Sequence, residues 1–258
     1  MRARAGVALL ALTCIAAAPA ASPQSITAEA ALTGGVSTDG VSAAATQLRA
    51  FGDLDFGIRY FAEAAWARTG SKADAFGAAY PYGGRLQAIE TYAEWWAPAR
   101  AVAGIRVGRY RTPFGMSTAS DHGYNGFLRA PLIRYDNYYA LSNNFLEHGI
   151  DVVGGVPRLT VVAGFGQPAD VGTAVRREGM TRVLRVQSAA GAAIVGVSHI
   201  RTQPYQSPRY AFGRAEFTGI DVRWMRGGVQ LRGEWIGGRP FDGTTTTGWY
   251  ADAIVHRR

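Results

Sequence analysis

Two places in the sequence set an acid directly beside a histidine, Asp121-His122 and Glu147-His148, and such a couple is the raw material of general acid–base chemistry. Neighbouring residues on an extended chain point to opposite sides, so neither couple converges on one substrate. No GxSxG or HExxH string accompanies them, and no catalytic residue is expected. Gly164-Phe165-Gly166 with Ala169 spells a GxGxxA string, yet Pro168 and a polar stretch stand where a dinucleotide fold needs a helix. Cys14 is the sole cysteine, which excludes a disulfide framework and a cysteine-built zinc or redox centre, and no cofactor or metal is expected. Arg176-Arg177 is too short a basic run for nucleic acid, which is not an expected partner. What remains is a large set of arginines and carboxylates two residues apart, whose chemistry is an electric field rather than a reaction.

That two-residue spacing identifies the elements. Between Thr46 and Phe56, Leu48, Ala50, Leu54 and Phe56 alternate with Gln47, Arg49, Asp53 and Asp55, the period of a strand with one oily and one wet face. Ile58 to Arg68 repeats the pattern, as do Ile220 to Trp224, Val229 to Trp235 and Trp249 to Val255. Twelve such segments are expected, at about 24–34, 44–54, 57–68, 85–97, 101–111, 147–155, 158–166, 181–189, 192–202, 215–226, 228–237 and 247–256. Tight links fall around Asp55, Pro98, Gly155-Val156-Pro157, Ala190-Gly191 and Gly227-Gly228, whereas 69–84, 112–146, 167–180 and 203–214 are long. Short turns at one end and long loops at the other predict an all-β fold, an antiparallel transmembrane β-barrel.

A secreted β-sandwich also alternates, but it does not account for 33 Gly and 12 Tyr, for Trp66, Trp95, Trp96, Trp224, Trp235 and Trp249 near strand ends, or for long loops confined to one side. A plugged TonB-dependent transporter would need a domain before the strands, and the strand pattern starts directly after the N-terminal segment. That segment, Met1 to Ser22, has Arg2 and Arg4, an apolar run from Gly6 to Ala18 and a small-residue Ala18-Pro19-Ala20 site. Residues 1–20 are therefore expected to be an export signal, and residues 21–258 the barrel domain. The destination expected is the outer membrane of a Gram-negative (diderm) bacterium.

The formal charge is +8, with 27 Lys plus Arg against 19 acids, and Lys72 is the single lysine. Taking the polar phase of each strand as inward, Arg49, Arg59, Arg106, Arg185, Arg223 and Arg232 face Asp53, Glu63, Glu90, Glu94, Asp151, Asp221, Glu234 and Asp252. This wall is mixed in sign and suits a water-filled lumen. The positive surplus falls at strand ends and loops, at Arg109, Arg111, Arg129, Arg134, Arg176, Arg177, Arg209 and Arg214. Two readings are open for it: contact with lipopolysaccharide phosphates and solvent, or an electropositive mouth that attracts anions.

Gly108, Arg109, the Thr112-Pro113-Phe114-Gly115 turn, the long polar-aromatic loop and the return on Gly149-Ile150-Asp151 resemble the corresponding strand and loop of the phosphate-selective porin (O/P type) superfamily. Gly233-Glu234-Trp235 and Gly248-Trp249-Tyr250 resemble it too. The resemblance implies a general-diffusion or anion-preferring porin, commonly a 16-stranded homotrimer whose long loop folds inward as a constriction. Two features depart from that pattern. The inward phase lacks a basic ladder, and the chain stops at His256-Arg257-Arg258 rather than on a terminal aromatic. Either twelve strands close the barrel or the chain is a C-terminally truncated piece of a 16-stranded porin; the latter is expected.

The loop 112–146 is too long for a simple connection and too polar for lipid, so it is expected to enter the lumen or cap the mouth. Arg106 and Arg111 at its base, with Asp121, Arg129, Arg134 and Asp136 within it, are the expected constriction residues. A second reading has these arginines bracing the loop against wall carboxylates. Alternation from Ile105 and Val107 puts Arg109 and Arg111 on the outward phase; a bulge near Gly108, or a strand end above the hydrocarbon zone, would resolve the conflict. The function expected is passive diffusion of small hydrophilic, and conceivably anionic, solutes through a charged pore, with outer-membrane lipid and lipopolysaccharide as surroundings. The alternative is a non-conducting barrel acting as surface anchor or adhesin.

Overall fold

The computed structural model describes residues 12–17, 25–36, 42–54, 57–69, 86–97, 102–116, 146–168, 180–202, 206–207, 210–211, 215–239 and 243–255. They are all-β. In chain order the strands are β1 (Leu12–Ala17), β2 (Thr27–Val36), β3 (Ser42–Asp53), β4 (Ile58–Thr69), β5 (Gln87–Trp96), β6 (Val102–Arg111), β7 (Leu146–Val156) and β8 (Leu159–Pro168). There follow β9 (Thr181–Ala190), β10 (Ala193–Thr202), β11 (Gln206–Ser207), β12 (Tyr210–Ala211), β13 (Ala215–Arg226), β14 (Val229–Arg239) and β15 (Thr246–Val255). Apart from the small β11–β12 hairpin, every strand pairs antiparallel with its neighbours in one sheet of order β1-β2-β3-β4-β5-β6-β7-β8-β9-β10-β13-β14-β15. Twelve of these strands match the twelve alternating segments, with ends shifted by a few residues.

β1 falls where the sequence reading places the apolar run of an export signal. It runs along β2 with Leu12 opposite Leu32 and Ala17 opposite Thr27, giving the backbone of β2 a hydrogen-bonded partner on that side. Five of its six residues are apolar and Thr13 alone interrupts them, too little alternation for the period that revealed the other strands to register here.

Tight links are built for their task. Gly227 and Gly228 join β13 to β14 with φ of 59° and 83°, the two successive left-handed residues that match the twist of a two-residue hairpin. β4 and β5 contain the main irregularity. Glu63 faces Glu90 but Ala64 faces Ala88, so Ile89 is an extra residue, fully buried beside the inward Glu90. A β-bulge of this kind inverts the facing of everything beyond it.

The sheet is curled. β6 and β14 stand six places apart, which in a flat sheet would be about 29 Å at normal strand spacing. Yet Met116, five residues past the end of β6, donates its backbone N–H to Glu234 Oε1 on β14 at 3.0 Å. Five residues of extended chain span at most about 18 Å, well short even with a glutamate side chain added. The face that carries Glu234 is therefore concave. The sheet's outermost strands, β1 and β15, are not paired with each other among the described residues.

Candidate functional site

The two faces of the curled sheet are inverted relative to a water-soluble protein. Outward positions are exposed and apolar, including Val107, Val152, Leu184, Val197, Val222 and Leu231. Inward positions one residue away hold Arg106, Asp151, Arg185, Ser198, Asp221 and Arg232, of which all but the half-buried Arg106 are buried. Charges withdrawn from water are tolerated when paired, and pairing is what the inner face supplies.

On β3 to β7 the register lines inward side chains into three parallel rows. The row nearest the long loops is Arg49, Glu63 and Glu90 on successive strands. Arg49 Nε donates to Glu63 Oε2 at 2.8 Å. The row nearest the short turns is Asp53, Arg59, Glu94, Arg106 and Asp151. There Arg59 Nε donates to Asp53 Oδ1 at 2.9 Å, Arg106 Nε donates to Glu94 Oε1 at 2.6 Å, and Arg106 lies 3.7 Å from Asp151. Between them runs an aromatic row, Phe51, Phe61 and Tyr92, with ring centroids 6.4 and 5.2 Å apart and rings nearly parallel. Tyr110 meets Tyr92 edge-on, and the Arg106 guanidinium sits 4.8 Å over the Tyr92 ring.

On β9 to β14 the inner face is a receptor for the chain leaving β6. Arg185 reaches across bare Gly196 to grip both oxygens of Asp221, at 2.7 and 2.8 Å, and its Nη1 donates to Ser198 Oγ at 2.8 Å. Ser198 Oγ in turn accepts the Gly115 N–H at 3.0 Å. Phe114 packs on Gly219, where an added Cβ would stand 3.3 Å from the ring. Ile200, Phe217 and Ile236 lie on the same inner face and are buried, giving Phe114 and Met116 an apolar seat. The start of the long loop, Thr112 to Met116, thus folds inward; its continuation at 117–145 lies outside the described residues.

Arg111 departs from the outward phase at the last residue of β6. Pairing between β5 and β6 ends at Thr91 opposite Arg109, and Gly108 stays in register opposite Tyr92 and Gly149. Beyond that point the Glu90 carboxylate takes over from the missing strand. It accepts the Arg111 backbone N–H at 2.9 Å and Nε at 3.0 Å, while Nη2 donates to Glu63 at 3.2 Å. With no register shift at Gly108, and with Arg111 still opposite Leu146 on β7, Arg111 turns inward where β5 stops pairing, and there it braces the loop base on two wall carboxylates. Arg109 keeps the outward phase, opposite His148.

The other residues singled out from the sequence divide as follows. Arg49, Glu63, Glu90, Glu94, Arg106, Asp151, Arg185, Asp221, Arg232 and Glu234 share the inner face, with Arg232 Nε donating to Asp252 at 2.8 Å. Asp53, Arg59 and Arg223 share its phase but are exposed near the short turns. Asp121, Arg129, Arg134 and Asp136 lie outside the described residues, as do Arg176, Arg177, Arg209 and Arg214. Sequence reasoning missed the aromatic row and the apolar seat because it took the inward phase as purely polar. The signal was present in part: Phe51 and Phe61 sit on the phase of their strands that carries the inward charges, Phe217 shares the phase of Asp221, and Ile200 shares that of Ser198.

These features define a class: one curled, all-β antiparallel sheet with an apolar outside and an ion-paired inside, compatible with a β-barrel. No protein-family model matches this sequence, and no curated protein matches it either.

Proposed function

We propose that the protein is an outer-membrane β-barrel porin that lets small hydrophilic solutes diffuse through a charged lumen narrowed by its inward-folded loop. The observation that carries this reading is the inverted polarity of the curled sheet, since only an apolar surround rewards a continuous belt of exposed Val, Leu and Trp around an ion-paired interior. The signal-like Met1 to Ser22 and the alternation of short turns with long loops support it. So does the local resemblance to the O/P-type porins, which also makes a homotrimer in contact with lipopolysaccharide part of the proposal. The arginines on the inner face are matched by carboxylates, so this reading assigns no phosphate selectivity to the wall.

The test is conductance of the full chain in a planar bilayer. Stepwise openings are expected. Silence from protein shown to be folded by its heat-modifiable migration would defeat the pore and favour a non-conducting anchor, a reading that the burial of Tyr110, Phe114 and Met116 on the inner face supports. The outward face gives a separate prediction. Val197→Arg should cost about 2–4 kcal/mol of stability in bilayers, as charge does on the lipid side of a barrel wall. Unfolding in urea from lipid vesicles measures this, and a loss under about 0.5 kcal/mol, the level of an ordinary surface substitution, would contradict a lipid-facing Val197.

A further inference from the structure

The aromatic row Phe51, Phe61 and Tyr92 borders a cavity of about 530 Å³ on the inner face of β2 to β5. That volume falls within the roughly 300–1,000 Å³ typical of small-molecule sites. We infer that this cavity is a carbohydrate subsite, in which sugar rings pack against the exposed edge of the aromatic row while their hydroxyls bond to the charged rows on either side. The inference deepens the pore reading by naming its solute class, although binding in the cavity does not require conduction.

Sugar and wall match in shape and in chemistry. A pyranose ring presents C–H groups on its faces and hydroxyls around its rim. The wall presents an apolar strip one side chain wide, with rows of carboxylates and guanidinium groups directly above and below it. The half-exposed ring surfaces reward the C–H groups by apolar contact, and charged donors and acceptors reward the rim. Arg49 is paired with Glu63 and Arg59 with Asp53, so the rows offer hydrogen bonds from arginines whose charge is already matched. Charged groups lining the cavity are Glu29, Asp53 and Glu94 against Arg49 and Arg59, an excess of one negative charge that gives an anion such as phosphate no advantage. Three half-exposed rings in an otherwise polar wall are costly to leave against water, and packing a solute against them removes that cost.

The experiment uses the full chain folded in detergent micelles, titrated calorimetrically with maltotriose and with inorganic phosphate, alongside bilayer recordings. Saturable maltotriose binding is expected, weakened about tenfold by Phe61→Ala and retained by Phe61→Tyr, with phosphate not competing. Phe51→Leu, which removes a ring while keeping an apolar side chain, covers the case in which Phe61→Ala does not fold, and should weaken binding similarly. Absence of sugar binding in folded protein, binding indifferent to both ring deletions, or displacement by phosphate would each overturn the inference. Sugar binding without channel openings would leave the subsite standing and remove the pore. Openings without sugar binding would do the reverse.

Discussion

Arg185→Met is expected to lower the unfolding free energy by about 3–5 kcal/mol, because it strands the Asp221 carboxylate in a site from which water is excluded. Asp221 is 2% exposed and is gripped at both oxygens by this one guanidinium. Methionine fills much of the space but neutralises nothing, so the loss is dominated by an uncompensated charge rather than by a cavity. The physical account makes a second demand. Arg185→Met combined with Asp221→Leu removes both charges and should recover most of the stability, since a buried ion pair is worth little more than the apolar pair that replaces it. Urea unfolding of the refolded protein, followed by tryptophan emission, measures both. A single mutant within about 0.5 kcal/mol of the parent, the range of ordinary surface substitutions, would mean that Asp221 has water or another cation beside it.

Gly115→Val is expected to release the inward segment and enlarge the channel. Gly115 holds φ of +63°, a left-handed conformation that a β-branched residue adopts only with strain of about 1–3 kcal/mol. A side chain there would also drive into the Glu234 carboxylate, which accepts the Met116 N–H. Both penalties vanish if Thr112 to Met116 leaves its seat, and a constriction that leaves its seat widens the path. Under the pore reading, single-channel conductance should rise about twofold or more, because the narrowest section dominates resistance. Glu234→Gln provides the comparison: its amide oxygen still accepts the Met116 N–H, so conductance should change far less. Unaltered conductance in Gly115→Val, with the protein folded, would show that this segment does not limit flow.

How much of this could be read from the sequence depends on whether the signal was local. Leu48, Arg49 and Ala50 announce a strand and its two faces without reference to any other part of the chain, and the same holds for twelve segments. The turn at Gly227-Gly228 is equally local, because the residues themselves accept the φ that the hairpin needs. The alternation failed where a second strand altered the outcome. Ile89 is buried next to Glu90 because β4 supplies one residue where β5 supplies two. Arg111 points inward because β5 stops pairing and Glu90 seizes its backbone, an event 21 residues away in the chain.

The sequence by itself determined the period, the twelve alternating strands and the assignment of oil and charge to opposite faces, since consecutive side chains on an extended backbone must alternate. The tertiary structure alone decided which charge meets which, that Phe51, Phe61 and Tyr92 form a single row, and that Met116 crosses to Glu234, 118 residues away. Those outcomes follow from register and curl. Both are set by the summed pairing of many strands, and no short stretch of residues contains that sum.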